Sequence, residues 1–210
     1  MLSFYNFARL TCLFFFRLYF KIEVRGVENL NKSSSGLILI SNHMSYLDPV
    51  FLGLFSKRRL FFMAKKELFR VFILKNIITK LGAFAVDREK KDLKAVEKAI
   101  EIAKRGNVVA MFPQGRRSRA VKTDRPKTGF LRIAVSAGCS VLPCSLFYRG
   151  YFPRSRVYVF FGEKVDISEI LKENGFEKEN LGHKEVRKLT KDVWENVLEL
   201  YEEQEEKNKK

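Results

Sequence analysis

The sequence predicts an α/β domain: a mostly parallel or mixed central sheet flanked by helices. Three observations predict it. Short apolar runs recur at Leu37–Ser41, Asn107–Phe112, Val141–Phe147 and Arg156–Phe161, each the length of a strand. Between them lie stripes at helical spacing, such as Leu93, Val96, Ile100 and Ala103. Polar loops bearing glycine or proline separate the two kinds of segment, and neither an internal repeat nor an interdomain linker interrupts the alternation.

Taken in order, residues 1–21 form an apolar N-terminal helix interrupted by Arg9 and Arg17. Those two charges argue against a conventional spanning helix, and a small-residue cleavage site after an unbroken apolar core is missing. They project on neighbouring helix faces and leave a wide apolar face opposite, which suits a helix lying in or shallowly inserted into a membrane surface. The alternative is a helix packed on the core. Residues 22–205 form the folded domain and 206–210 a charged tail. Ile22–Arg25 is a short strand before a turn at Gly26. Leu37–Ser41 is a buried strand, followed by a helix from Ser45 to Phe55. Arg59–Ala64 is a strand, Glu67–Leu81 a single helix, and Ala83–Val86 a short strand. The stripe from Leu93 ends at Arg105-Gly106, a helix stop. After Asn107–Phe112 a polar loop spans Pro113–Thr128, then a helix covers Phe130–Ala137. Val186, Leu189, Val193, Val197 and Leu200 mark a closing amphipathic helix.

The chain has 210 residues, enough to bury a substantial core, and a formal net charge of +16. Such a surplus attracts polyanions: nucleic acid, an anionic bilayer or phosphorylated substrates. Twenty phenylalanines against one tryptophan favour greasy surfaces over base-stacking platforms. The stretch Phe51–Lys80 interleaves aromatics with Lys57, Arg58, Arg59, Lys65, Lys66, Arg70, Lys75 and Lys80, and Glu67 is its only acid. That pattern suits an anionic lipid surface. No helix-turn-helix spacing, zinc pattern or RNA-binding signature accompanies it. Cys12, Cys139 and Cys144 lack metal-ligand spacing and fit a reducing compartment, with the last two as core residues.

The most informative segment is Asn42-His43-Met44-Ser45-Tyr46-Leu47-Asp48, directly after a strand. Ser45 can cap the following helix with Asp48 three residues on, in the manner of a capping box. Side chains in a first helical turn tilt toward the N-terminus, which leans Asp48 toward His43. A carboxylate there fixes the imidazole tautomer and leaves the other ring nitrogen free to take a proton. The bland alternative is a helix-capping Asp48 and a satisfied loop histidine. A second strand delivers Phe112-Pro113-Gln114-Gly115-Arg116-Arg117-Ser118, a turn whose arginines suit phosphate. Gly115 permits close backbone approach there. A third ends in Asp87-Arg88, which makes Arg88 a candidate phosphate ligand.

Together these segments resemble the lysophospholipid acyltransferase family, and within it the bacterial 1-acylglycerol-3-phosphate acyltransferases. Asn42–Asp48 matches the family's His-(x)4-Asp block, Gly82–Arg88 resembles its second block, Phe112–Ser118 its third, and Val141–Leu146 its fourth. Ala64–Phe69 and Lys127-Thr128-Gly129 also have the family's look. The resemblance spans roughly residues 22–165. Two departures stand out: the third block carries glutamate and threonine where this chain has Gln114 and Arg116.

The resemblance implies transfer of a fatty acyl group from acyl-CoA or acyl-carrier protein to a lysolipid hydroxyl at the cytoplasmic face of the inner membrane. His43 would be the general base and Asp48 its partner. A backbone amide near Gly115 would stabilise the oxyanion. Arg88, Gln114, Gly115, Arg116, Arg117 and Lys127 would form the acceptor site. No metal or resident cofactor is expected. Neutral Gln114 leaves two alternatives open, a different lysolipid acceptor or a catalytically silent lipid-binding relative; a nucleic-acid-binding protein is the third.

Overall fold

The computed structural model describes residues 4–32, 34–87 and 92–209. Seven strands form one sheet: β1 (Lys21–Arg25), β2 (Leu37–Ser41), β3 (Leu60–Lys65), β4 (Phe84–Val86), β5 (Val108–Met111), β6 (Ser140–Tyr148) and β7 (Arg156–Phe161). Their spatial order is β1-β7-β6-β2-β5-β3-β4. Every neighbouring pair is parallel except β6 and β7. The expected mixed, mostly parallel sheet is present, with its reversal at the hairpin joining β6 to β7.

Eight α-helices accompany it among the described residues: α1 (Phe4–Tyr19), α2 (Val27–Asn31), α3 (Asp48–Phe55), α4 (Phe72–Lys80), α5 (Leu93–Lys104), α6 (Gly129–Ala137), α7 (Ile167–Glu173) and α8 (His183–Lys209). Alternation along the strands splits the core into two layers. Ile38 and Ile40 of β2, with Val109 of β5, pack under α5, α6, α7 and α8, where Trp194 is the largest buried side chain. Leu37 and Leu39, with Val108 and Ala110, face the other way, against Leu30 of α2, Phe51 and Leu52 of α3 and the inner side of α1. β2 is buried on both faces, as a central parallel strand should be.

Several elements differ from expectation. The helix expected from Ser45 begins at Asp48, with Pro49 in its first turn. The capping box forms only in part: Asp48 accepts the Ser45 N–H at 2.8 Å, while the Ser45 hydroxyl accepts from Leu47 N at 3.2 Å. Ser45 therefore closes the loop before the helix rather than capping it. The single helix expected over Glu67–Leu81 is two pieces, a 3-10 turn at Lys66–Arg70 and α4, separated at Val71 by extended backbone (φ −84°, ψ 111°). Helices α2 and α7 escaped the periodicity argument because they have 5 and 7 residues, too few to show a stripe. α8 runs unbroken through 206–209, so those residues of the charged tail are helical.

α1 packs one side inward. Phe16 meets Phe51 of α3 edge to face at 5.1 Å, and Arg9 donates to Leu54 O at 3.2 Å, at the C-terminal turn of α3 where carbonyls lack helical partners. Its other side leaves Phe14, Phe15 and Leu18 exposed at 60–64%. No described helix is long and apolar enough to cross a membrane.

Candidate active site

In a parallel sheet the carboxyl ends of neighbouring strands open on one edge, and loops leaving them meet there. β2 and β5 are such neighbours, with Ile40 opposite Met111. His43 and Gln114 each lie three residues beyond that pair, so register alone sets them side by side. The His43 N–H donates to Gln114 Oε1 at 2.6 Å.

The His43–Asp48 pair forms. His43 Nδ1 lies 2.6 Å from Asp48 Oδ2. That same oxygen accepts the backbone N–H groups of Met44 at 2.7 Å and Ser45 at 2.8 Å. Asp48 Oδ1 accepts the Tyr148 hydroxyl at 2.5 Å. Asp48 is fully buried, yet these four donors offset the loss of water, and an acceptor-only carboxylate is the group that can take all four. The arrangement places a proton on His43 Nδ1 and leaves Nε2 as the basic nitrogen. Among the described residues Nε2 has no hydrogen-bond partner. The imidazole stacks on Phe112, with ring centroids 4.1 Å apart and planes 16° from parallel, and its side chain retains 12% exposure.

Two residues of this site were missed by motif reasoning. Tyr148 is the first, and burial together with the nearby Asp48 charge pushes its phenol well above the ordinary range, which keeps it a donor. The second is Asn42. Its side chain donates to Leu146 O and accepts from Leu146 N, both at 2.8 Å, and so extends the β2–β6 ladder just as β2 ends. Asn42 stands beside His43 in sequence and was legible; Tyr148 lies 100 residues from Asp48, and nothing local signals it.

The turn after β5 brings up the cations. Gly115 has φ +72°, and a Cβ there would come within 3.0 Å of Lys127 Cε and 3.1 Å of Lys127 Nζ. Only glycine lets the lysine amine lie across the turn. The Gly115 N–H donates to Phe112 O at 3.0 Å. It closes the turn. Arg117 places its guanidinium 3.4 Å over the ring centre of exposed Tyr46. Arg116 pairs with Asp124 at 3.0 Å and stays largely exposed. Gln114 is buried, and its Nε2 donates to Asp124 Oδ2 at 2.8 Å. Asp124 is held below the ordinary carboxylate range, chiefly by the Ser118 hydroxyl and then by Arg116 and Gln114, against burial. Arg88 lies outside the described residues; β4, which precedes it, ends on the same sheet edge. Among the expected residues, His43, Asp48, Gln114, Gly115, Arg116, Arg117 and Lys127 thus gather on the loops after β2 and β5. All three cysteines are free; Cys139 is half-buried, and burial pushes its thiol up to about 11.

The model of the family described as Acyltransferase matches residues 21–147, which contain both loops of this site. This chain belongs to the acyltransferase family. It is 30% identical over 168 residues to the 1-acyl-sn-glycerol-3-phosphate acyltransferase of Borreliella burgdorferi, covering 77% of this chain and 67% of that one. To the enzyme of the same name from Streptococcus pneumoniae it is 31% identical over 178 residues, covering 81% of this chain and 66% of that one. The acyltransferase thus matches about two thirds of the length of these relatives. The crystal structure of the 1-acyl-sn-glycerophosphate (LPA) acyltransferase PlsC from Thermotoga maritima superposes with a TM-score of 0.67 at 25% identity. That match covers 97% of this acyltransferase and 84% of the other chain.

Proposed function

We propose that this chain moves a fatty acyl group from acyl-CoA or acyl-carrier protein to the sn-2 hydroxyl of 1-acylglycerol-3-phosphate, giving phosphatidic acid for phospholipid synthesis. The observation that carries the reading is a histidine held at Nδ1 by a buried carboxylate, with Nε2 unpaired among the described residues, and a cationic turn on the neighbouring loop. The names of the Borreliella and Streptococcus relatives support the choice of acceptor.

His43 Nε2 takes the proton from the acceptor hydroxyl as its oxygen attacks the thioester carbonyl. Asp48 steadies the imidazolium that forms. The tetrahedral intermediate collapses with cleavage of the C–S bond, and His43 returns the proton to the departing thiolate. Arg117, Lys127, Arg116 and Arg88 hold the acceptor phosphate. No metal and no resident cofactor enters this scheme; the thioester is a cosubstrate.

We place the chain on the cytoplasmic face of the inner membrane, as a monotopic or peripheral protein. The exposed Phe14, Phe15 and Leu18 of α1, exposed Val71 and Phe72, and a net charge of +16 support that placement.

The test is an acylation assay with oleoyl-CoA and a panel of lysolipids, comparing wild type with His43→Ala in vesicles of phosphatidylglycerol and phosphatidylethanolamine. Wild type is expected to prefer 1-acylglycerol-3-phosphate, and His43→Ala to lose activity while keeping its melting temperature. Near wild-type turnover in folded His43→Ala sinks the mechanism. Gln114, an uncharged side chain where the family pattern has glutamate, motivates a second reading, in which another lysolipid is the true acceptor; a different best substrate in the panel would establish it.

A further inference from the structure

His43 is held at both of its backbone polar groups by the loop that follows β5. Its N–H donates to Gln114 Oε1 at 2.6 Å, and its carbonyl accepts the Ser118 N–H at 2.7 Å. Behind Gln114 stands a third residue. Gln114 Nε2 donates to Asp124 Oδ2 at 2.8 Å, and the Ser118 hydroxyl is the chief influence that lowers the pKa of that carboxylate. Arg116 closes the other oxygen at 3.0 Å. The Asp124 side chain is only 9% exposed, so its partners are protein groups rather than bulk water. Asp124 thus lies one hydrogen bond behind the Gln114 clamp on the His43 backbone.

We infer that Asp124 is a positioning residue of this site: by locking Gln114 it fixes where the His43 backbone, and hence its imidazole, stands. The inference rests on the proposed role of His43 as general base. A carboxylate only accepts, so it obliges the Gln114 amide to turn its NH2 end toward residue 124 and its oxygen toward His43. Had residue 124 been an asparagine, either end of the Gln114 amide would find a partner there, and only the His43 N–H would hold the amide's orientation. The pair also accounts for the neutral side chain at 114. A glutamate there would set two carboxylates about 2.8 Å apart, and such a pair ionises fully only at strong cost. In this chain the negative charge sits at 124, one hydrogen bond further from the base, and Arg116 is its counter-ion. Gln114 and Asp124 are therefore a matched amide–carboxylate set, and the exchange of both should work where either single change fails.

The experiment uses the full chain as wild type, Asp124→Asn, Gln114→Glu and the double exchange Gln114→Glu with Asp124→Asn. It reads kcat and KM for 1-acylglycerol-3-phosphate across pH, and amide hydrogen exchange at His43 by NMR. Asp124→Asn should lower kcat about tenfold, the scale of a small misplacement of a catalytic group, with KM changed less than about threefold. Gln114→Glu should lose kcat as pH rises, because the two carboxylates work only while they share a proton. The double exchange should return kcat to within about threefold of wild type and remove that pH dependence. In Asp124→Asn the His43 amide should exchange at least about tenfold faster, while the Met44 and Ser45 amides, bonded to Asp48, keep their protection. If Asp124→Asn does not fold, Asp124→Glu keeps the charge but shifts it by one methylene and should cost about threefold in kcat.

Wild-type kcat with unchanged His43 exchange in Asp124→Asn overturns the inference. So does a loss confined to KM, or a double exchange no better than its weaker parent. A wild type that acylates no lysolipid, or an active His43→Ala, overturns the functional reading instead. The exchange pattern then decides by itself whether Asp124 holds His43.

Discussion

The loops after β2 and β5 start from neighbouring strands in matched register, yet they are built in opposite ways. The first is short and turns into α3 after six residues, 42–47, and the carboxylate that opens α3, Asp48, takes four donors. The second runs over 112–128 and carries its cations on long side chains, Arg116 being 74% exposed. A base must stand within hydrogen-bond reach of one proton, so its loop is pinned through the His43 backbone and the carboxylate of Asp48. A site for a phosphate tolerates more freedom, because charge attraction varies slowly with distance and donors on flexible stems can follow the ligand. Rigid chemistry and adaptable binding are thus divided between adjacent loops, joined where Gln114 and Ser118 grip His43.

The sharpest way to break this contrast is Asp48→Asn. An amide there can offer an N–H to His43 Nδ1, which favours the wrong tautomer and leaves no basic Nε2. We expect kcat to fall by about 10²–10⁴ with little change in KM, measured as initial rates of phosphatidic acid formation. A fall confined to KM would place Asp48 in binding instead. On the second loop, Lys127→Ala should do the reverse. It should raise KM for the lysolipid by about tenfold with kcat within about threefold, the loss of one charge-assisted contact; an unchanged KM means the amine over Gly115 does not touch the acceptor.

Tyr148→Phe tests the pinning by stability. It removes one donor to a buried carboxylate without changing shape, and should cost about 1.5–3 kcal/mol in urea unfolding. A cost below about 0.5 kcal/mol would mean the hydroxyl's bond to Asp48 contributes nothing net. The smallest expected effect concerns acid. Asp124 titrates lower in the folded protein than in the unfolded chain, foremost through the Ser118 hydroxyl. Its contribution is therefore complete above about pH 4 and is lost as pH falls through the lower folded value. The gap in melting temperature between wild type and Asp124→Asn should narrow on acidification below about pH 4. A gap that stays constant to about pH 3 contradicts the assignment of that carboxylate as charged and bonded.

Much of the fold was legible because strands buried on both faces advertise themselves. β2 and β7 occupy the residues their apolar runs indicated. The break at Val71 was not, because apolar residues on both sides keep helical spacing while the chain between them is extended. For α7 a signal existed: Asp166 accepts from Ser168 N and Glu169 N, so an N-cap preceded a stripe too short to notice. In the site, His43 and Asp48 were readable because five residues separate them and a helix start points one at the other. Asp124 carried no such mark. A single acid in a basic loop reads as surface, and only its 9% exposure and its two donors, Gln114 and Arg116, separate it from one.

Local contacts, those made within a turn or two of chain, were therefore settled by residue order: which segments form strands, where glycine must bend, and that a carboxylate reaches the imidazole. Long-range placement came from packing. His43 meets Gln114 across 71 residues and Asp48 meets Tyr148 across 100. These meetings depend on the register of β2 against β5 and β6, which is chosen by which faces of those strands bury their apolar side chains against α1, α3 and the helices opposite. A slip of one residue would turn every one of those side chains to the wrong layer, so the core that stabilises the sheet also aligns the site.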